Sequence, residues 1–253
     1  MSLEGKTAVI TGSGRGIGRG IALALAAKGC NIAVNFFRHR DKAEETAAAI
    51  EKLGARAVVV KANVGKEADV RRLVETAAAE LGGADIFVGN AASGVLKPIM
   101  EIDAKAWEWS LNINARSILL GAQAAVPHMR RNGWGRIISI TSVGGRRVLP
   151  EYSAVGVSKA AIEAVTRYLA VELAPEGIIA NCISPGVVIT DALNFFSHGD
   201  AMIAHAKAHT PAGRLVTPED VGKLTAWLCT DDAAMLVGQT IELDGGHGVV
   251  MSM

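Results

Sequence analysis

The chain has 253 residues, half of them apolar, and its 26 Lys and Arg nearly balance 25 Asp and Glu for a formal charge of +1. That length suffices for one hydrophobic core and requires no second domain, so residues 1–253 are read as one unit. The interleaved charges leave no basic stripe or tail, which excludes the usual electrostatic footprint of a nucleic-acid binder. Cys30, Cys182 and Cys229 lie far apart in apolar stretches, the pattern of reduced, buried thiols rather than of a disulfide framework. No apolar run approaches the roughly 20 residues of a spanning helix, and the first strand leaves no room for a signal peptide. A cytoplasmic protein without membrane insertion is expected.

Short apolar runs alternate with longer amphipathic segments along the chain. Strands are predicted at 7–10, 31–35, 57–60, 86–88, 136–140, 178–182 and 239–243. Helices are predicted at 16–28, 41–53, 67–81, within 104–131, at 157–174 and at 219–229. Strands that are apolar without strict alternation fit a parallel sheet covered on both faces, and right-handed crossovers make it doubly wound. The ligand crevice then lies at the carboxyl ends of the strands. Residues 187–213 break the rhythm, and an insertion of this size after a strand is expected to form a helical lid over the substrate.

Gly12-Ser13-Gly14-Arg15-Gly16-Ile17-Gly18 lies where the first strand turns into the first helix. Small residues there let the backbone approach a pyrophosphate, which the helix N-terminus can hold. The spacing is G-x-x-x-G-x-G, so its placement between strand and helix carries the assignment. The second strand ends Asn35-Phe36-Phe37-Arg38, with no acid to meet a free ribose hydroxyl. Arg38 and Arg15 suit a 2′-phosphate instead, which favours NADPH. Asn63-Val64 and Asn90-Ala91 follow the third and fourth strands, where adenine-side and ribose-side contacts belong.

Tyr152 and Lys159 are placed for reduction. Hydride delivery leaves negative charge on a carbonyl oxygen, and a phenol can donate to it. An adjacent ammonium would favour the phenol's charged form. If both residues were helical, a seven-residue separation would span roughly 10 Å, so Tyr152 is expected on the turn before the helix and Lys159 on its first turns.

Thr11 to Gly18, Asn90-Ala91, Asn114, Ser142, Tyr152, Lys159, Pro185-Gly186 and Asp244-Gly245-Gly246 together resemble the short-chain dehydrogenase/reductase superfamily, over essentially the whole chain. The resemblance implies a Rossmann-type α/β domain. Its usual members carry Y-x-x-x-K, and Val155 stands where that tyrosine would be. The enoyl-acyl-carrier-protein reductase branch uses Y-x-x-x-x-x-x-K, and segments 90–96, 152–160 and 210–214 look like its NADPH-dependent type III members.

That branch implies that Tyr152 meets the thioester carbonyl of a trans-2-enoyl chain and that Lys159 holds the nicotinamide ribose. Ser142 and Asn114 match the superfamily's catalytic serine and asparagine. Pro185, Gly186 and Val188 fall among the implied cofactor contacts, and Ser93, Leu96, Leu193, Phe195, Phe196 and Met202 among the implied acyl contacts. An acyl carrier protein as partner and a homotetramer follow from the same resemblance. Reduction of a ketone or 3-ketoacyl thioester, with Tyr152 as acid and a relay through Ser142 and Asn114, is the alternative. Cofactor binding without catalysis is a third possibility, made uneconomical by the intact Tyr152 and Lys159.

Overall fold

The computed structural model describes residues 2–250. Seven strands form one sheet: β1 (Thr7–Ile10), β2 (Asn31–Phe36), β3 (Ala57–Lys61), β4 (Ile86–Gly89), β5 (Gly135–Ile140), β6 (Ile178–Pro185) and β7 (Thr240–Leu243). All neighbours pair in parallel, in the order β3-β2-β1-β4-β5-β6-β7. The order reverses between β1 and β4, which opens a crevice at their carboxyl ends.

Alternate strand residues feed two cores. Ile10, Ile32, Val34, Val88 and Ile138 face one side, and Val9, Ala33, Phe87 and Ile137 the other. The first core is covered by α1 (Gly16–Ala26), α2 (Arg40–Glu51) and α8 (Pro218–Leu228). The second is covered by α3 (Glu67–Leu81), α5 (Ser117–Asn132) and α6 (Ser153–Leu173). With both faces buried, the central strands have no polar face to alternate with, which is why they read as continuous apolar runs. Among the described residues, no helix is long and apolar enough to cross a membrane.

Two departures from the sequence expectation bear on the site. The predicted helix within 104–131 is interrupted: α4 (Ala104–Leu111) passes through a π-helical turn, Asn112–Arg116, into α5. A π-turn inserts an extra residue per turn and is often found at functional sites. Helix α6 begins at Ser153, four residues before the predicted start, so Tyr152 is its N-cap. The lid starts with a 3₁₀ turn, Asp191–Phe195, and continues as α7 (Gly199–His209). Its two flanks meet in a parallel bridge between Val188 and Val216. Beyond it, α8 opens with a reciprocal capping box between Thr217 and Asp220.

Candidate active site

The turn between β1 and α1 is held by residues from three strands. The Gly12 N–H donates to Asn35 Oδ1 at 3.0 Å, and Asn35 Nδ2 reaches the carbonyls of Phe36, Val60 and Ala62 at 3.2–3.3 Å. Ser13 Oγ donates to Ile10 O at 2.8 Å and accepts from the Asn35 N–H at 3.1 Å. Asn90 Nδ2 binds the carbonyls of Thr11 and Gly12 at 2.9 and 3.2 Å. Gly12 and Gly16 have φ of +65° and +54°, left-handed values that favour glycine. A Cβ on Gly18 would lie 2.5 Å from Gly12 O. Helix α1 starts at Gly16 with no side-chain cap. A tight, glycine-lined turn ending in an uncapped helix N-terminus fits the pyrophosphate of a dinucleotide.

The side chains in this region divide into those that build the turn and those that face outward. Ser13 is fully buried with its hydroxyl engaged in the fold, so its role is to shape the turn rather than to touch a ligand. Asn63 likewise folds its own loop, its Oδ1 accepting from the Gly65 N–H at 3.0 Å, and Val64 is core. Arg15 Nη1 lies 2.7 Å from Asp191 Oδ2 at the start of the lid, whereas Arg38 is exposed with no carboxylate partner among the described residues. Gly186 follows β6, its N–H donating to Leu243 O at 2.9 Å.

Tyr152 is half-buried, its hydroxyl 3.4 Å from Ser142 Oγ. Ser142 lies just past β5, so the donor pair stands at the carboxyl end of the sheet. The Tyr152 ring rests on Gly144, where a Cβ would come within 2.5 Å of Cε1. Burial raises the phenol's pKa, with the Ser142 hydrogen bond opposing. Sequence reasoning looked to Lys159 to lower it; burial dominates, and it keeps the proton on the group that must donate.

Lys159 is buried on the second turn of α6, its Nζ donating to Ile140 O at 2.9 Å. Burial lowers its pKa from 10.5 to about 8. Four residues on, buried Glu163 accepts from Thr141 Oγ1 at 3.2 Å and from Arg146 Nε at 3.1 Å. Asn114 sits in the π-turn with both ends of its side chain engaged: Oδ1 accepts from the Ser93 N–H and Nδ2 donates to Ser158 Oγ, each at 2.8 Å. It ties the loop after β4 to α6, which is a positioning role rather than a place in a side-chain relay. Val155 is buried at the position of the usual tyrosine, and a Cβ on Gly94 would lie 2.3 Å from its Cγ2.

The lid separates the candidate acyl contacts. Phe196 stacks on Tyr152, ring centroids 5.6 Å apart. Leu193 and Met202 are half-buried, whereas Phe195 is 76% exposed and turned to solvent. In the loop after β4, Leu96 is half-buried, and Ser93 Oγ accepts from Trp109 Nε1 at 3.0 Å. Sequence reasoning missed the clamp at Asn35, the packing partners Gly94 and Gly144, buried Glu163, and Glu151. The asparagine inside the apolar run of β2 was the one visible signal.

A family model described as Enoyl-(Acyl carrier protein) reductase matches residues 12–248. The chain is 38% identical over 247 residues to 1-cyclohexenylcarbonyl-CoA reductase from Streptomyces collinus, covering 97% of this chain and 88% of that protein. It is 37% identical to hydroxynaphthalene reductase-like protein Arp2 from Metarhizium robertsii, covering 97% and 96% of the two chains. A 7α-hydroxysteroid dehydrogenase complexed with NADH and 7-oxo glycochenodeoxycholic acid superposes with a TM-score of 0.91 at 31% identity, over 97% of this chain and 95% of the other. A structure described as a short-chain alcohol dehydrogenase candidate from Sinorhizobium meliloti 1021 gives 0.93 at 33% identity, over 99% of both chains. The chain belongs to the short-chain dehydrogenase/reductase superfamily, within the family that this model describes. It is an NAD(P)-dependent oxidoreductase acting on small organic substrates.

Proposed function

We propose that this enzyme reduces the conjugated double bond of a trans-2-enoyl thioester with NADPH. The observation that carries this reading is the placement of the donor: Tyr152 caps α6, seven residues before Lys159, while Val155 and Gly94 close the position four residues before the lysine. That is the spacing of the enoyl-reductase branch. The Streptomyces relative supports it, since the name 1-cyclohexenylcarbonyl-CoA describes a thioester conjugated to a ring double bond.

A nicotinamide dinucleotide, when bound, supplies the hydride. Gly12, Gly16, Ile17 and Gly18 would hold its pyrophosphate, with Asn90-Ala91, Lys159 and Gly186 toward the nicotinamide end. The protein's work is at the substrate oxygen. Addition of hydride at C3 moves an electron pair onto the thioester oxygen, and Tyr152 Oη, kept protonated by burial, donates to that enolate. Ser142, 3.4 Å from the phenol, holds it in line. Protonation at C2 completes the saturated acyl thioester.

Carbonyl reduction is the second reading, and more of the named neighbours stand on its side, the steroid dehydrogenase with its bound 7-oxo ligand among them. The Ser142–Tyr152 pair suits it as well, because a ketone oxygen needs the same two donors. Turnover of crotonyl-CoA and acetoacetyl-CoA under identical conditions separates the two. Faster reduction of acetoacetyl-CoA replaces the first reading with the second.

Preference for NADPH rests on exposed Arg38 past the end of β2, where Asn35, Phe36 and Phe37 offer no acid to the ribose. Against it stand the NADH bound by the steroid dehydrogenase and the engagement of Arg15 with Asp191. Arg38→Ala should raise KM for NADPH about 10-fold or more and leave KM for NADH nearly unchanged. Equal penalties refute the preference.

An acyl carrier protein is the proposed bearer of the substrate. Of Arg38, Arg40, Arg146, Arg147, Lys207 and Arg214, which could steer its acidic surface, Arg40 is held by Glu44, Arg146 by Glu163 and Glu242, and Arg214 by Asp220. Arg147 donates to the Gly248 carbonyl, which leaves Arg38 and Lys207 for it. The proposed homotetramer would cover Tyr168 and Val171 of α6 and Val249, which are 73%, 74% and 84% exposed. A monomer by light scattering would contradict it.

A further inference from the structure

Tyr152 is preceded by the one described non-glycine residue with a left-handed backbone, Glu151, at φ +63°. A side chain in that region is strained, and strain of this kind persists only where surrounding contacts impose it. Two contacts do so here. The Glu151 carbonyl accepts from the Lys97 N–H at 2.8 Å, which pins the turn to the loop after β4. Its carboxylate accepts from Ser197 Oγ in the lid at 2.9 Å. Ser197 directly follows Phe196, the residue whose ring lies on Tyr152.

We propose that Glu151 is a positioning residue with two separable tasks. Its left-handed backbone reverses the chain just before α6 and aims the phenol at Ser142. Its carboxylate latches the lid through Ser197 and so seats Phe196 on the Tyr152 ring, which closes the phenol from water on that side. A charge-assisted hydrogen bond ties the two tasks together, so a closed lid and an aimed donor occur in the same state. The proposal rests on Tyr152 serving the substrate oxygen and holds for an enoyl or a ketone substrate alike.

Substitution can take the tasks apart. Glu151→Gly accepts the left-handed backbone without strain and deletes the carboxylate; Glu151→Ala loses the carboxylate and also disfavours the backbone. Glu151→Gln keeps an acceptor oxygen for Ser197, and Ser197→Ala removes the donor from the other side. Amide hydrogen exchange across residues 195–203 of the free protein should quicken about 3- to 10-fold in Glu151→Gly and Ser197→Ala, the effect of one lost hydrogen bond. It should stay near the parent rate in Glu151→Gln. The Glu151→Gly/Ser197→Ala double variant should exchange no faster than either single one, because both remove the same contact. With NADPH and the better of the two CoA thioesters, Glu151→Gly should raise KM with little change in kcat, whereas Glu151→Ala should also lower kcat.

Unchanged exchange in Glu151→Gly and Ser197→Ala, or additive effects in the double variant, overturns the latch. Equal kcat for Glu151→Gly and Glu151→Ala overturns the aiming role. The exchange measurement needs no turnover, so an error in the substrate class leaves it standing.

Discussion

The two ends of the crevice are built in opposite ways. At the turn between β1 and α1, the polar side chains are buried and multiply bonded: the Asn35 side chain alone makes four hydrogen bonds, to Gly12, Phe36, Val60 and Ala62. At Tyr152 the contacts are few and singly made: one long hydrogen bond to Ser142, one stacked lid ring, and one strained residue before it. The cofactor end is therefore a part of the core, whereas the chemical end is assembled from a turn and a lid. Damage to the first should appear as lost stability, and damage to the second as lost turnover.

The largest expected effect tests the second half of that contrast. Tyr152→Phe removes only the hydroxyl and should lower kcat by roughly 10²-fold or more, leaving the melting temperature within about a degree. A large loss of stability would show that the phenol is structural. At the other end, Asn35→Ala leaves several buried backbone groups unpartnered and should destabilise the fold by about 2–3 kcal/mol in urea unfolding. An unchanged midpoint would mean that the turn does not depend on its clamp.

Lys159 stands between the two regimes, buried yet needed at the site. Its pKa falls to about 8 in the fold from 10.5, so charging it opposes folding. That penalty is complete below about pH 8 and fades as the pH rises toward 10.5, where the unfolded chain also releases the proton. Lys159→Met should abolish most activity while raising the melting temperature at pH 7, the gain shrinking steadily by pH 10. A stabilisation that does not vary with pH would locate the effect elsewhere. The smallest effect belongs to Ser142→Ala, with a loss of kcat of about 10-fold or less if the substrate is an enoyl thioester. A loss matching that of Tyr152→Phe would favour carbonyl reduction.

What the sequence made legible follows the same division. The seven strands and the turn carry apolar runs and glycine spacing, local patterns that survive in one dimension, and helix α3 falls on its predicted bounds of Glu67–Leu81. Helix geometry placed Tyr152 on the turn before the helix, but not at its N-cap, because α6 starts at Ser153 rather than at the predicted 157. The bounds of the break at Asn112–Arg116 were not legible, because the bonds that hold it, from Asn114 to Ser93 and Ser158 among them, reach segments distant in sequence. Ser13 and Asn63 were assigned to the cofactor from loop position, which does not reveal that the Ser13 hydroxyl and the Asn63 Oδ1 are engaged in their own turns, with Asn63 still partly exposed. Glu151 carried no signal, since a left-handed glutamate is imposed by Lys97 and Ser197, both far from it in sequence.

The contact between Gly94 and Val155 also limits where the phenol can stand. Any side chain at 94 would drive a carbon to within 2.3 Å of the Val155 methyl, so the two positions compete for one space. Moving the phenol three residues into α6, from 152 to 155, therefore takes coordinated change on two segments. Val155→Tyr alone should yield a badly packed protein rather than one with a second acid.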